Sequence, residues 1–390
     1  MHESVVMTTT PTALACRELR LRGFRNFVEL DLTFPAPGVA IIGDNGSGKT
    51  NLLEAVYYLE IFRSFRGAPD EQLVRWGGDA FFIRGRFQDR STGGGREITA
   101  AFERRGRRKR VAVNGAEPER LGDALGGVGA VIFSPSDVSI VTGAPSERRR
   151  FLDIVLSLNS PGYLAALQRY RQILRQRNAM LRDGASGVLL EAWDEGLIES
   201  GSRVIVARAA WVRDRAEAFT RRYERIAGGA PAWIRYDASV PIPDLEHAAP
   251  TVEAVTAAFR AELGRVVRRE RERGLTLVGP HRDDLAILFG TSGGEADLRD
   301  FGSGGQKRTA AIALRMIEAE TVREARGRDP IVLLDDLFAE LDPGRAGRIL
   351  ELIEAEERGQ VILTAPKESD LEPRGGVLER WRIANGKVYT

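Results

Sequence analysis

Hydrophobic and polar positions alternate along the first part of the chain. Leu19 and Leu21 interleave with Arg20 and Arg22, and Leu30, Leu32 and Phe34 interleave with Glu29, Asp31 and Thr33, which predicts two half-buried strands. Residues 39–42 are an unbroken apolar run, the pattern of a strand buried on both faces. After a Gly-rich gap, Leu52, Leu53, Val56, Leu59 and Phe62 recur at helical spacing. Residues 81–87, 98–102 and 111–113 return to strand patterning, with Asn114-Gly115 as a turn, and predict an antiparallel β layer beside the first core.

From Ser146 the period becomes helical. A helix starting at Pro161 carries Leu164, Leu167, Ile173, Leu174 and Leu181 on one side, followed by a turn over residues 183–187. A long helix from about Leu189 to Ile226 stops at Gly228-Gly229. Thr251 is the expected cap of a helix from Val252 to Arg273, ended by Gly274. Strand signals return at 275–278 and 285–288, then an Ala- and Leu-rich helix runs to about Ala325. The organisation expected is a flexible extension over 1–14, with Met7 an alternative start, and an α/β lobe over 15–145. An inserted helical arm then covers 146–274, and 275–390 returns to the core.

A length of 390 residues exceeds one ordinary core and agrees with two lobes. Cys16 is the single cysteine, which excludes internal disulfides and fits a reducing cytoplasm. No apolar run approaches the roughly 18 residues of a membrane span, so no membrane is expected as a partner. The net charge of +2 conceals 52 arginines against five lysines. Any nucleic-acid surface must therefore be argued from patches rather than from the total.

One of those five lysines, Lys49, stands in Gly43-Asp44-Asn45-Gly46-Ser47-Gly48-Lys49-Thr50, a G-x-x-x-x-G-K-[ST] phosphate loop between the predicted strand and helix. Backbone N–H groups and the positive helix end cradle phosphates there, and a compact ammonium reaches between them where a guanidinium fork would not fit. The expected ligands are ATP and Mg²⁺, held by residues 43–50 and Asn51, with the Thr50 hydroxyl on the metal. A Gly-rich turn that merely contains a lysine is the plain alternative, and the flanking elements argue against it.

Residues 331–334 form an apolar strand ending in Asp335 and Asp336, the Walker B pattern. Asp335 is placed to hold Mg²⁺ through water and Asp336 to orient or deprotonate the attacking water. Upstream, Phe301-Gly302-Ser303-Gly304-Gly305-Gln306 leads into a helix. Ser303 with Gln306 is a capping box, and Ser303, Gly304, Gly305 and Gln306 can equally form an anion site facing a γ-phosphate. Together these segments resemble the signature loop, Walker B strand and D-loop (residues 338–342) of ABC-type ATPases. The resemblance implies that Ser303 acts on the nucleotide of a second subunit. His2, His247 and His281 all lie far in sequence from the strand 361–365, after which such proteins often carry a switch histidine; Thr364 occupies that region. No Q-loop glutamine is evident near 133–137.

Phe24-Arg25-Asn26-Phe27, the run 135–153 with Arg148-Arg149-Arg150-Phe151-Leu152-Asp153, Gln176-Arg177-Asn178, Gly279-Pro280-His281-Arg282-Asp283-Asp284-Leu285 and residues 335–342 narrow the likeness. From about residue 16 to 390 the chain resembles the RecF family of bacterial recombination proteins. That resemblance implies an ABC-type P-loop ATPase head of α/β class, a mixed sheet with an antiparallel β layer, bearing a short inserted helical arm. It also implies an ATP-dependent homodimer on gapped DNA or single-/double-strand junctions. Work with RecO and RecR to load recombinase onto single strands coated by the single-strand-binding protein is a further implication.

DNA contacts are less distinct. Arg104, Arg105, Arg107, Arg108, Lys109 and Arg110 form a basic hairpin tip, either a grip on phosphates or a solvated turn. Arg148, Arg149 and Arg150 either face DNA or pair with acids, and the arginines of 265–273, spaced by glutamates, read as a solvated helix face. Other classes remain open at this level. A nuclease-associated ATPase needs an acidic metal domain beyond Walker B, where about 50 residues follow. A transporter subunit usually has the switch histidine, and a structural SMC organiser needs coiled coils far longer than this arm.

Overall fold

The computed structural model describes residues 12–89, 93–184, 187–229, 231–243, 245, 248–291, 293–338, 343–356, 359–368 and 378–390. Residues 1–11, His247 and residues 339–342 of the expected D-loop lie outside this set, as do Ala185 and Ser186 of the expected turn. The chain forms two compact units, residues 1–136 with 318–390 and residues 137–317.

The first unit holds two sheets. One runs in the order Lys387–Tyr389, Glu379–Ala384, Gly38–Ile42, Val361–Ala365, Ile331–Leu334 and Ala130–Phe133. Its central strands pair in parallel, and Gly38–Ile42, Val361–Ala365, Ile331–Leu334 and Ala130–Phe133 are almost wholly buried. That is why they read as continuous apolar runs. The helix Lys49–Ile61 packs 11 of its 13 residues inside. The second sheet is the antiparallel layer: Thr12–Phe24, Ala80–Asp89, Gly95–Glu103 and Arg108–Val113 pair in that order, with Phe27–Thr33 against the first strand. Its strands alternate buried and exposed residues as expected of a sheet with one wet face. Thr12–Leu14 belong to its first strand, with Thr12 and Ala13 paired to Arg328 and Asp329, so the extension expected over 1–14 is shorter than that range.

The second unit is mainly helical: Pro145–Asn159, Tyr163–Arg182, Gly187–Ala227 and Val252–Arg273 pack around Phe151, Tyr170, Phe219 and Phe259. Thr251 caps its helix by accepting from the Ala254 N–H, and Gly274 ends it in the left-handed region. The expected strand at 275–278 is absent. Asn178 Oδ1 accepts from both the N–H and the hydroxyl of Thr276, and Glu270 Oε1 accepts from the Leu277 N–H, so side chains satisfy this backbone in place of a ladder. The strand Asp284–Thr291 does form, but between Ala232–Asp237 and Gly294–Asp297. A three-stranded sheet thus belongs to the arm, which extends past residue 274.

Candidate nucleotide site

The phosphate loop joins the strand Gly38–Ile42 to the helix Lys49–Ile61. Gly48 takes φ +118°, and a Cβ there would fall 2.5 Å from Asn26 Nδ2, so only glycine allows the close approach of this side chain. Asn26 Nδ2 donates to the Ser47 carbonyl (3.0 Å), while its Oδ1 accepts from Asn51 (2.9 Å). The Gly386 N–H, in the turn between the last two strands, donates to the same Ser47 carbonyl (3.2 Å). Arg25 pairs in fork geometry with the fully buried Glu54 of the helix (2.8 and 3.0 Å). The loop is held from two sides before any ligand arrives.

Lys49 is 3% exposed; its Nζ donates to the Gly43 (2.7 Å) and Asp44 (3.2 Å) carbonyls and lies 3.5 Å from Asp336 Oδ2. Thr50 Oγ1 donates to Asp335 Oδ1 (2.9 Å). Thr364 Oγ1 is 3.2 Å from a carboxylate oxygen of each aspartate and accepts from the Asp336 N–H (3.0 Å). Asp336 sits at φ +41°, a strained conformation for a residue other than glycine. Two loops 285 residues apart in sequence thus meet through side chains. The Asp335 carboxyl is pushed up to about 6, chiefly by burial, against the opposing hydrogen bond from Thr50.

Sequence reasoning found Lys49, Thr50, Asp335 and Asp336 but gave no role to three further contributors. Thr364 ties the two acids together, Asn26 braces the loop, and Arg66 lies close enough to help stabilise the Asp335 charge. Asn26 and Thr364 were visible as residues, yet only the folded strand order brings them to the site.

The arrangement fits a nucleotide with a divalent cation. Ser47 Oγ is buried and has no hydrogen-bond partner among the described residues, an orphaned polar atom inside the loop that a phosphate oxygen would satisfy. Asp335 is a buried carboxylate whose charge is disfavoured and which carries a hydroxyl beside it, a donor set that a hard cation would stabilise. No group of three or more His, Cys, Asp or Glu forms a metal cage among the described residues. Magnesium carried by substrate phosphates, water and one or two protein oxygens needs none.

Ser303, Gly304, Gly305 and Gln306 lie in the second unit. Here the capping box is present: the Ser303 N–H donates to Gln306 Oε1 (2.8 Å) and the Gln306 N–H donates to Ser303 Oγ (3.2 Å). Ser303 and Gly304 are exposed, and a Cβ on Gly304 would meet nothing within 4 Å.

The basic hairpin divides. Arg107 pairs with Glu71 (2.7 Å), Arg104 donates to the Glu71 carbonyl (3.1 Å), and Lys109 is held by Asp70 (2.6 Å), the Phe62 carbonyl and the Tyr58 ring. Arg105, Arg108 and Arg110 are exposed and without an ion pair among the described residues. In the second unit Arg148 pairs with Asp284 through two bonds of 2.7 Å, which answers one of the two expectations for it. Arg265 and Arg268 pair along their own helix.

A family model described as the RecF/RecN/SMC N terminal domain matches residues 15–377. The protein named DNA replication and repair protein RecF from Salinibacter ruber is 38% identical over 367 residues, covering 91% of this chain and 85% of its own. Its namesake from Frankia alni is 39% identical over 382 residues, covering 95% and 98%. A solved structure of the recombination mediator protein RecF-ATPrS in the RecFOR pathway superposes with a TM-score of 0.85 at 30% identity, covering 97% of this chain and 98% of that one. An Smc head domain from Pyrococcus furiosus, 16% identical with a TM-score of 0.56 over 96% of this chain and 95% of its own, shares the fold.

Proposed function

This chain belongs to the RecF family, and from that premise we propose that it is an ATP-gated DNA clamp of recombinational repair. The observation that carries the ATP reading is the pairing of Lys49 with Asp336 and of Thr50 with Asp335, beside the unsatisfied Ser47 hydroxyl.

In this reading the N–H groups of residues 43–50 and the N-terminus of the helix Lys49–Ile61 receive the β- and γ-phosphates. Lys49 exchanges its carbonyl partners for phosphate oxygens, and the Ser47 hydroxyl gains the partner it lacks. Thr50 and Asp335 would hold Mg²⁺, which would neutralise charge on the phosphate oxygens. Asp336, released from Lys49 and fixed by the Thr364 hydroxyl, orients and deprotonates the attacking water. Ser303 and the amides of Gly304 and Gly305 close over the γ-phosphate held by a second copy. ATP therefore assembles the dimer, and hydrolysis resets it. The exposed Arg105, Arg108 and Arg110 supply salt-sensitive contacts to DNA phosphates at gaps or single-/double-strand junctions. Cooperation with RecO and RecR in loading recombinase follows from the pathway in which the solved relative is described.

Sizing in solution tests the whole reading. The chain is expected to run as a monomer alone and as a dimer with ATP, and gapped DNA is expected to join only the dimer; a monomer under all conditions would overturn it.

A further inference from the structure

The second unit contains a cavity of about 210 Å³ whose walls include none of the nucleotide-site residues; Arg149, Arg150, Arg171, Arg208, Tyr170 and His281 are among its lining. Four guanidiniums share this space with one lining carboxylate, Asp153. That carboxylate is already engaged: it accepts from the Tyr163 hydroxyl (2.6 Å), from Arg208 (2.7 Å) and from Arg171 (2.6 Å). The neighbouring acids Asp283 and Asp284 act on Arg149 by charge, but each is already engaged by other groups. Asp284 is taken by Arg148, and Asp283 accepts from the Tyr236 hydroxyl and the Ser239 N–H. Arg149 is left with a neutral acceptor, the Asp283 carbonyl (2.7 Å), and Arg150 has no hydrogen bond or ion pair among the described residues.

The remaining polar groups add no negative charge. Burial lowers the His281 pKa to about 4, so the ring is neutral near pH 7; with Nε2 donating to the Thr276 carbonyl (3.1 Å), Nδ1 accepts from the Tyr170 hydroxyl (2.6 Å). Ser146 brings the first turn of the helix Pro145–Asn159, whose cap residue Ala144 offers no side-chain acceptor and whose first-turn acid, Glu147, is not part of the lining. Burial first, and then the Arg208 charge, lower the Arg149 pKa, against the opposing charges of Asp284, Asp283 and Asp153.

We propose that this cavity of the helical unit is a phosphate-binding site. One phosphate group placed among Arg149, Arg150 and Arg171 supplies the missing negative charge, and planar guanidiniums are suited to holding its oxygens in pairs. The phosphate comes either from a DNA backbone or from a small free phosphate species. Because the cavity lies wholly within this unit, it stands whether or not the phosphate loop binds ATP.

Two measurements on the full chain decide it. The first is the salt dependence of duplex DNA binding by Arg150→Ala and by Arg150→Lys. The second is the rate at which phenylglyoxal labels Arg150, followed by peptide mass spectrometry with and without inorganic phosphate. Arg268, 91% exposed, is the internal reference. Since Arg150 has no partner to lose, the variant is expected to keep the parental circular dichroism and ATP affinity. If DNA is the source, Arg150→Ala lowers the slope of log Kd against log salt by about one, and Arg150→Lys restores most of it. If the source is a small phosphate, the slope is unchanged while inorganic phosphate slows labelling of Arg150 and not of Arg268. An unchanged slope, together with phosphate leaving the labelling of both arginines unaltered, overturns the proposal.

Discussion

Two Gly-rich turns lead into helices in this molecule, residues 43–50 in the first unit and 301–306 in the second, and they are satisfied in opposite ways. The phosphate loop is braced from outside by Asn26 and Gly386, its lysine is buried against an aspartate, and one of its hydroxyls has no partner among the described residues. The signature turn completes itself: Ser303 and Gln306 exchange hydrogen bonds, and both Ser303 and Gly304 face solvent. A loop with an orphaned buried hydroxyl is completed by a ligand. A self-capped, open turn needs nothing for its own stability, so any further role must come from a second molecule brought to it.

The largest effect expected is at the first turn. Lys49→Ala removes the only cation among residues 43–50, so titration calorimetry should show no measurable ATP binding, and dimerisation should disappear with it. Asp336→Asn keeps shape and removes the base. Phosphate release should fall by about 10² to 10⁴ while ATP binding persists and dimers accumulate on DNA; unchanged turnover would move the catalytic role to another group.

Ser303→Arg tests the contrast itself. The parental ATP affinity of the monomer should survive, whereas ATP-induced dimerisation and hydrolysis should be lost; a variant that dimerises normally would leave Ser303 as a helix cap alone. Gly304→Ala is the milder form, because its Cβ enters open space in the single chain. A clash confined to the dimer costs about 1–3 kcal/mol, read by sedimentation as a weakening of association, with monomer melting unaltered.

The hairpin offers a third way to meet phosphate, by exposed charge alone. Replacing Arg105, Arg108 and Arg110 by Ala should flatten the salt dependence of DNA binding by about one unit for each phosphate no longer neutralised. Replacing Arg107, already paired with Glu71, should do less. Equal slopes for parent and triple variant would make the tip a solvated turn. The smallest effect on the stability of the single chain is expected for Ser303→Ala, which removes one capping bond worth about 1 kcal/mol and should show as faster hydrogen exchange of the Gln306 amide without loss of fold.

Much of the fold was legible because burial imposes period. The apolar run at 39–42 and its counterparts at 331–334 and 361–365 are strands covered on both faces, and the alternating runs at 81–87 and 98–102 are strands with one wet face. The helix from Val252 to Arg273 was readable to the residue, since Thr251 and Gly274 mark its ends chemically. Residues 275–278 misled because an apolar run names burial and not a partner: their hydrogen bonds go to Asn178 and Glu270. The strands at 232–237 and 379–384 went unread although their burial alternates, because each spans only 6 residues, too short a run to stand out between stronger signals.

The sequence by itself determined the phosphate loop, the paired acids, the family resemblance and the caps, because each is a local arrangement of residue types fixed by backbone geometry. Tertiary structure alone decided which of the many arginines are spent on internal carboxylates and which remain free, and that Thr364 joins both acids. It also decided that a cluster of four guanidiniums in the helical unit has one carboxylate, Asp153, in the described lining of its cavity. Those outcomes depend on distances between residues tens to hundreds of positions apart. Charge compensation is a property of such distances, and composition does not contain them.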